Sequence, residues 1–292
     1  MLLSPSLRKK LWAACALSAH IGPNCAITPS SQAENLYAQA GFSGPVHTFC
    51  GGPSQIDAGL MGLSGQDLVM AFRGTTDQDE DWLNDFRSRL VPLGSCGGRV
   101  HQGFLSSVRT LFWSMAAQLP QFLAQNPQHF YITGHSKGGA MAILMAYELN
   151  SAFPGLTPSP SVVTFGAPRV GDQQFADCFR LPLIRLESCR DLVPHLPMTA
   201  QECSRLKELS LPQTLLSGSE SLSQKEIPLA RCLLSSLLKP VCGYASVGSL
   251  LAFCPDEKTA PYSASFDRVL RELSAPGGLA KIADWHKQDY DF

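Results

Sequence analysis

A chain of 292 residues with 45% hydrophobic content carries enough apolar side chain for one sizeable core, and its length suits a single α/β domain over 1–292. With 23 Lys and Arg against 24 Asp and Glu, the net charge is −1, so the basic footprint of a nucleic-acid binder is missing and no nucleic-acid partner is expected. The ten cysteines form no C-x-x-C pair and no zinc-type spacing, so no metal site is expected; their even number permits disulfides without demanding them in a chain with this much core, and free thiols are the reading taken.

The N-terminal segment has two readings. Arg8-Lys9-Lys10 followed by the apolar run Leu11 to Ala19 has the shape of a signal peptide with a short apolar centre. The same run suits one face of a first helix packed on the domain, and the helix is the expectation taken, which leaves cytoplasmic and secreted locations open. No stretch reaches the roughly 18 to 20 apolar residues of a membrane span, because Arg231, Lys239 and Pro240 interrupt the longest candidate, so the chain is not expected to be an integral membrane protein.

Asp67 to Phe72 reads as a buried strand, closed by the turn signal Arg73-Gly74-Thr75-Thr76. Acidic residues Asp77, Asp79, Glu80 and Asp81 follow, and then Trp82-Leu83-Asn84-Asp85-Phe86 has the amphipathic spacing of a short, mobile surface helix. Gln102 to Gln125 places Phe104, Val108, Leu111, Phe112, Met115 and Leu119 at helical spacing and leads through Asn126-Pro127 into a strand over Phe130 to Thr133.

Next comes Gly134-His135-Ser136-Lys137-Gly138, with a helix beyond it from Gly139 to Ala146. Strand, G-x-S-x-G and helix in that order make a nucleophile elbow, in which a tight turn pushes the serine hydroxyl above the sheet edge. The flanking glycines are expected because the turn brings backbones too close for Cβ atoms. Ser161 to Phe165 is a further strand, Asp172 to Cys178 a helix, and Leu183 to Leu186 another strand that ends toward Cys189-Arg190-Asp191. Strands and helices alternate through this half, which predicts a mainly parallel sheet covered by helices on both faces, with reactive groups at the carboxyl ends of its strands. From about 201 to 239 the pattern gives way to Leu/Ser-rich sequence with prolines, read as an insertion. Ser246 to Phe253 restores a strand and Ser265 to Leu273 a helix.

A serine hydroxyl is a poor nucleophile at neutral pH, so Ser136 needs a base, and the base needs an orienting carboxylate. In the chain order Ser, acid, His, only His195 and His286 follow Ser136. Asp191 stands at the carboxyl end of the Leu183 to Leu186 strand and is the natural acid. His195 lies four residues beyond it, a spacing that suits a structural loop histidine, whereas His286 falls after the last strand and helix, where the base belongs. The oxyanion of an acyl-transfer intermediate needs two donors, and the backbone N–H of Lys137 and the turn residue Thr75 are the candidates.

Several segments together resemble the class 3 lipases, a family of fungal triacylglycerol lipases with plant and bacterial relatives. They are Ala71-Phe72-Arg73-Gly74-Thr75, Asp81-Trp82-Leu83-Asn84-Asp85, Val100-His101-Gln102-Gly103-Phe104, Ile132 to Ala140, Thr164 to Gly171, and Arg190 to Pro197. The resemblance runs from about Asp67 to Pro197 and resumes more weakly from Tyr244 to Tyr290. It implies an α/β-hydrolase fold, a triad of Ser136, Asp191 and His286, an oxyanion hole of Thr75 and Lys137, and a lid containing Trp82, Leu83 and Phe86 after the first buried strand. Lys137 replaces the leucine common at this point of the elbow; its cation is expected either at the acyl pocket or its rim, favouring an anionic head group, or out in solvent. The insertion could enlarge the lid, line the acyl groove or touch a membrane.

The reading of the chain is therefore a serine carboxylester hydrolase acting on lipid esters, of triacylglycerol lipase or phospholipase A1 type, with no metal or organic cofactor and with contact to a lipid surface. Two alternatives stand beside it: a short-chain or feruloyl esterase, and a catalytically silent scaffold of the same fold used for protein interaction. A secreted phospholipase directed at foreign membranes is a further possibility, supported by the insertion and the N-terminal run.

Overall fold

A computed structural model describes residues 3–75, 89–94, 97–208, 233, 235–238, 240–254, 262–273 and 278–290. In chain order the elements are α1 (Pro5–Ser18), α2 (Ser31–Gln39), β1 (His47–Gly51), β2 (Asp57–Ser64), β3 (Asp67–Phe72), β4 (Leu90–Pro92), β5 (Arg99–His101), α3 (Gln102–Leu123), β6 (His129–His135), α4 (Lys137–Ala152), β7 (Pro160–Phe165), α5 (Gln173–Cys178), β8 (Leu183–Ser188), α6 (Ala200–Glu208), β9 (Ser249–Phe253), α7 (Tyr262–Leu273) and α8 (Gly278–Gln288). β1, β2, β3, β6, β7, β8 and β9 form a seven-stranded sheet in that spatial order. β1 and β2, and β2 and β3, run antiparallel; from β3 to β9 all pairs are parallel. The mainly parallel sheet read from the sequence is present.

The central strands are apolar on both faces because both faces are covered, as parallel sheets require. On β3, Leu68, Met70 and Phe72 join one core with Phe130 and Ile132 of β6, α3 and α4, while Val69 and Ala71 point the other way, to a second core with Tyr131 and α1. Helices thus lie on both faces. Ser4 caps α1 by accepting from Leu7 N at 3.2 Å. Its Leu11 and Leu17 are fully buried, each contributing about 1.5–3 kcal/mol of hydrophobic stabilisation. The N-terminal apolar run is therefore a packed helix of the core, as expected. Among the described residues no helix is long and apolar enough to cross a membrane.

The free-thiol reading of the cysteines needs correction. Cys189–Cys254 and Cys203–Cys242 are disulfides, while Cys15, Cys25 and Cys50 are free. The first ties the end of β8 to the end of β9, and the second ties α6 to the segment ahead of β9, where Met198 and Cys242 form a bridge. Pairing partners 39 and 65 residues apart cannot be read from spacing. The segment read as an insertion opens with the helix α6, and residues 209–232 lie outside the described part. β9 starts at Ser249, three residues later than the sequence pattern suggests, because Val247 is already turned into the core and Gly248 has a φ of +72°.

Candidate active site

β6 lies in mid-sheet between β3 and β7, and its carboxyl end runs straight into α4. Between them Ser136 has φ +55° and ψ −130°, a left-handed conformation that costs a non-glycine residue on the order of 1–3 kcal/mol. The turn is held by Ser136 N donating to Phe165 O at 3.0 Å and by Gly139 N donating to Ser136 O at 2.9 Å. The two glycines of the motif are a steric necessity. A Cβ on Gly134 would stand 2.2 Å from the Gly138 carbonyl, and one on Gly138 would stand 2.3 Å from Phe72 O. The strained turn therefore exists only because two backbones touch there.

Asp191 follows β8 by three residues and is fully buried. Its Oδ1 accepts from Val193 N at 2.9 Å, and its Oδ2 accepts from His286 Nδ1 at 2.8 Å. That second bond keeps the proton on Nδ1 and leaves Nε2 of His286 as the acceptor nitrogen. His286 sits in the last turn of α8 and is 2% exposed, and its Nε2 has no partner among the described residues. It stacks on His135, the neighbour of Ser136, with ring centroids 4.6 Å apart, and its carbonyl accepts from His135 Nε2 at 2.9 Å. Asp191, His286 and the Ser136 turn are thus brought to one corner of the sheet, although the hydrogen bond from Ser136 to His286 is not made; hydrogen bonds of this kind commonly tighten only around a bound substrate.

His135 is held neutral, its pKa pushed from 6.5 to about 3, first by burial and then by the neighbouring His286. It packs edge-on against Trp12 of α1, which also meets Phe165 and Tyr290. The N-terminal helix forms the rear wall of the site.

The turn after β3 lies against the elbow: a Cβ on Gly74 would be 3.1 Å from His135 O and 3.6 Å from Ser136 Cβ. Thr75 follows, and its Oγ1 is buried without a hydrogen-bond partner among the described residues. The N–H of Lys137 lies in the first turn of α4, where backbone N–H groups have no intrahelical acceptor and the helix dipole favours negative charge. Arg73 anchors the turn from below, donating to Ile21 O at 2.7 Å and to Ile56 O at 2.6 Å.

The side chain of Lys137 goes neither to solvent nor to an acyl pocket. It is buried, with Nζ 2.8 Å from Asp57 Oδ1, and Thr110 Oγ1 donates to the other carboxylate oxygen at 3.3 Å. Asp57 begins β2 beside the carboxyl end of β3, so the ion pair reaches past the strand end that carries Gly74 and Thr75. The expectation of a free cation at the site's rim is thereby corrected: its charge is already neutralised inside the protein.

His195 has the structural role read for it. Its Nδ1 pairs with Glu202 of α6 at 2.6 Å, and Arg169 bonds both Glu202 and the His195 carbonyl. Burial opposes the charge on Glu202, but His195 and Arg169 hold its carboxyl down at about 2. One residue of the site escaped the sequence reading. Tyr290 OH donates to Asp191 Oδ2 at 2.8 Å and accepts from Ser188 N at 2.9 Å. Burial, then the charge of Asp191, pushes its phenol well above the ordinary tyrosine range, so it stays a donor. The lid residues Trp82, Leu83 and Phe86 lie outside the described residues.

Residues 69–201 match the family described as Lipase (class 3), the span that holds Thr75, Ser136, Lys137 and Asp191. Over that span the chain is similar to the class 3 lipases. It is 34% identical over 143 residues to a lipase of Rhizopus niveus, covering 44% of this chain and 34% of that one. It is 32% identical over 160 residues to a chloroplastic phospholipase A(1) of Arabidopsis thaliana, covering 46% and 34%. The solved triacylglyceride lipase of Rhizomucor miehei superposes with a TM-score of 0.53 at 25% identity, covering 66% of this chain and 75% of that one. The fold of the chain is thus the α/β-hydrolase fold of the fungal lipases. The chain spans about a third of the length of those two sequence relatives, and His286 and Tyr290 fall beyond the matched family segment.

Proposed function

We propose that this chain is a serine carboxylester hydrolase acting on lipid esters. The observation that carries the reading is the buried Asp191–His286 pair, made at 2.8 Å across 95 residues of sequence and brought against the strained Ser136 turn. Ser136 Oγ attacks the ester carbonyl while His286 Nε2 takes its proton. The carbonyl oxygen becomes an oxyanion that accepts from Lys137 N–H and from Thr75, and losing one such donor costs about 3–4 kcal/mol of transition-state stabilisation. Collapse of the intermediate releases the alcohol, protonated by His286, and leaves an acyl-Ser136. Water, deprotonated by the same nitrogen, then releases the fatty acid and restores the serine. Asp191 remains ionised throughout, holding the imidazole in the productive tautomer.

The similarity to a fungal lipase and to a plant phospholipase A(1) supports a lipid ester as substrate and leaves two bond classes to separate by experiment. A hydrolysis panel of triolein, phosphatidylcholine, phosphatidylglycerol and p-nitrophenyl esters, run with Ser136→Ala as the blank, does this. The proposal expects activity on at least one long-chain ester and none above background in the blank. Activity in the blank near the wild-type level would overturn the site; no activity on any ester from a folded wild type would favour the silent scaffold.

A further inference from the structure

The free cysteines are not alike. Cys15 is buried against Thr133 Oγ1 at 3.2 Å, and burial pushes its thiol up to about 12, so it is inert. Cys25 and Cys50 are both half-buried and lie within hydrogen-bonding reach of one another. Their proximity is built into the backbone. Residues 21–27 form a tight loop closed by the Ile21–Ile27 bridge, with Cys25 N donating to Gly22 O at 3.0 Å and Cys25 itself at φ +57°. Thr48 Oγ1 donates to the Cys25 carbonyl at 2.5 Å. Thr48 and Cys50 are two apart on β1 and so project from the same face of the strand, the face that Cys25 overlies. The guanidinium of Arg73, bonded to Ile21 O of the same loop, lies beside Cys50.

We infer that Cys25 and Cys50 form a disulfide beyond the two described, which staples the loop after α1 to the edge strand β1. The reaction is thiol–disulfide exchange with a small-molecule disulfide of the glutathione type. The Cys25 thiolate attacks one sulfur of the reagent and expels one small thiolate. The Cys50 thiolate then attacks Cys25 Sγ in the mixed disulfide and expels the second. Two protein thiols are oxidised, one external disulfide is reduced to two thiols, and the two protein protons pass to the departing thiolates. Burial, then Cys25, holds the Cys50 thiol up at about 12, with Arg73 acting in the opposite direction, so the closing step speeds up as pH rises. The other described disulfides brace β8, β9 and α6. This one would brace the opposite end of the sheet, through the loop that Arg73 holds beneath the Gly74–Thr75 turn.

The test is peptide mapping of the full chain after equilibration with oxidised glutathione and alkylation under denaturing conditions. The expected result is a Cys25–Cys50 cross-linked peptide pair with loss of alkylation at both positions, and a higher yield at pH 9 than at pH 7 in a fixed time. In a second arm, the oxidised wild type should melt roughly 5–10 °C above the Cys25→Ser/Cys50→Ser variant, the scale expected for closing a loop of this length in a chain of this size. Full alkylation of Cys25 and Cys50 under conditions that leave Cys203 and Cys242 linked would overturn the inference. Stable glutathione adducts on Cys25 or Cys50 without the cross-link would overturn it too.

Discussion

Replacing Asp57 by Asn removes the counterion of a lysine ammonium that is 5% exposed and has a 2.8 Å contact to lose. Taking one partner from a buried ion pair costs about 3–5 kcal/mol, because the other charge stays in a medium that solvates it poorly. At about 2–4 °C per kcal/mol for a chain of this size, the melting temperature should fall by roughly 6–20 °C. Lys137→Met should destabilise comparably by stranding the carboxylate, for which Thr110 at 3.3 Å is a weak substitute. The double variant Asp57→Asn/Lys137→Met removes both charges together and should recover most of the loss, since exchanging a whole buried pair for neutral groups is often close to neutral. The assay is a double-mutant cycle by urea unfolding, with ester hydrolysis measured on the folded fraction. Lys137→Met should retain activity per folded molecule, because the proposed oxyanion donor is the backbone amide and not the side chain. Single variants within about 0.5 kcal/mol of wild type would refute the argument, as would a Lys137→Met variant of unchanged stability with an altered preference for anionic head groups.

Three further outcomes follow from the same geometry. Tyr290→Phe removes a buried donor from Asp191 Oδ2 and strands Ser188 N; at about 1–3 kcal/mol for such a loss, kcat should drop roughly 5- to 150-fold with little change in KM. Gly138→Ala would force a Cβ to within 2.3 Å of Phe72 O, and the expected result is loss of soluble folded protein or of all activity, read by circular dichroism and hydrolysis together. For His135 the folded pKa lies below the unfolded one, so its contribution is present above about pH 6.5 and is lost as pH falls toward about 3. Melting curves across that window should therefore show a steeper acid decline for wild type than for His135→Asn.

Much of the fold was legible because the central strands are buried on both faces and so read as continuous apolar runs. The same holds for α3, whose Phe104, Val108, Leu111, Met115 and Leu119 all enter the core at the spacing that announced the helix. The serine turn was legible through its glycines, which encode a steric contact between neighbouring segments. Asp191 and His286 could be placed because chain order and strand ends restrict where an acid and a base can stand. Lys137 resisted the same treatment: its partner Asp57 is 80 residues upstream, and a local reading sees an exposed-type side chain with no visible counterion. Tyr290 was given no role, because its packing against Trp12, Phe165 and Phe253 exists only once α1 and β9 are in place. The disulfides were hidden for the same reason, since the sheet chooses the partners.

The central claim is that Ser136 is a nucleophile activated by His286 and Asp191. Its most direct measurement is labelling of the folded protein with a fluorophosphonate probe, followed by peptide mapping of the adduct. The account predicts one adduct, on Ser136, abolished in Ser136→Ala and slowed by about two orders of magnitude or more in His286→Ala, where the serine has lost its base. A folded wild-type protein that takes no label, or one labelled at another residue with Ser136 untouched, would contradict it.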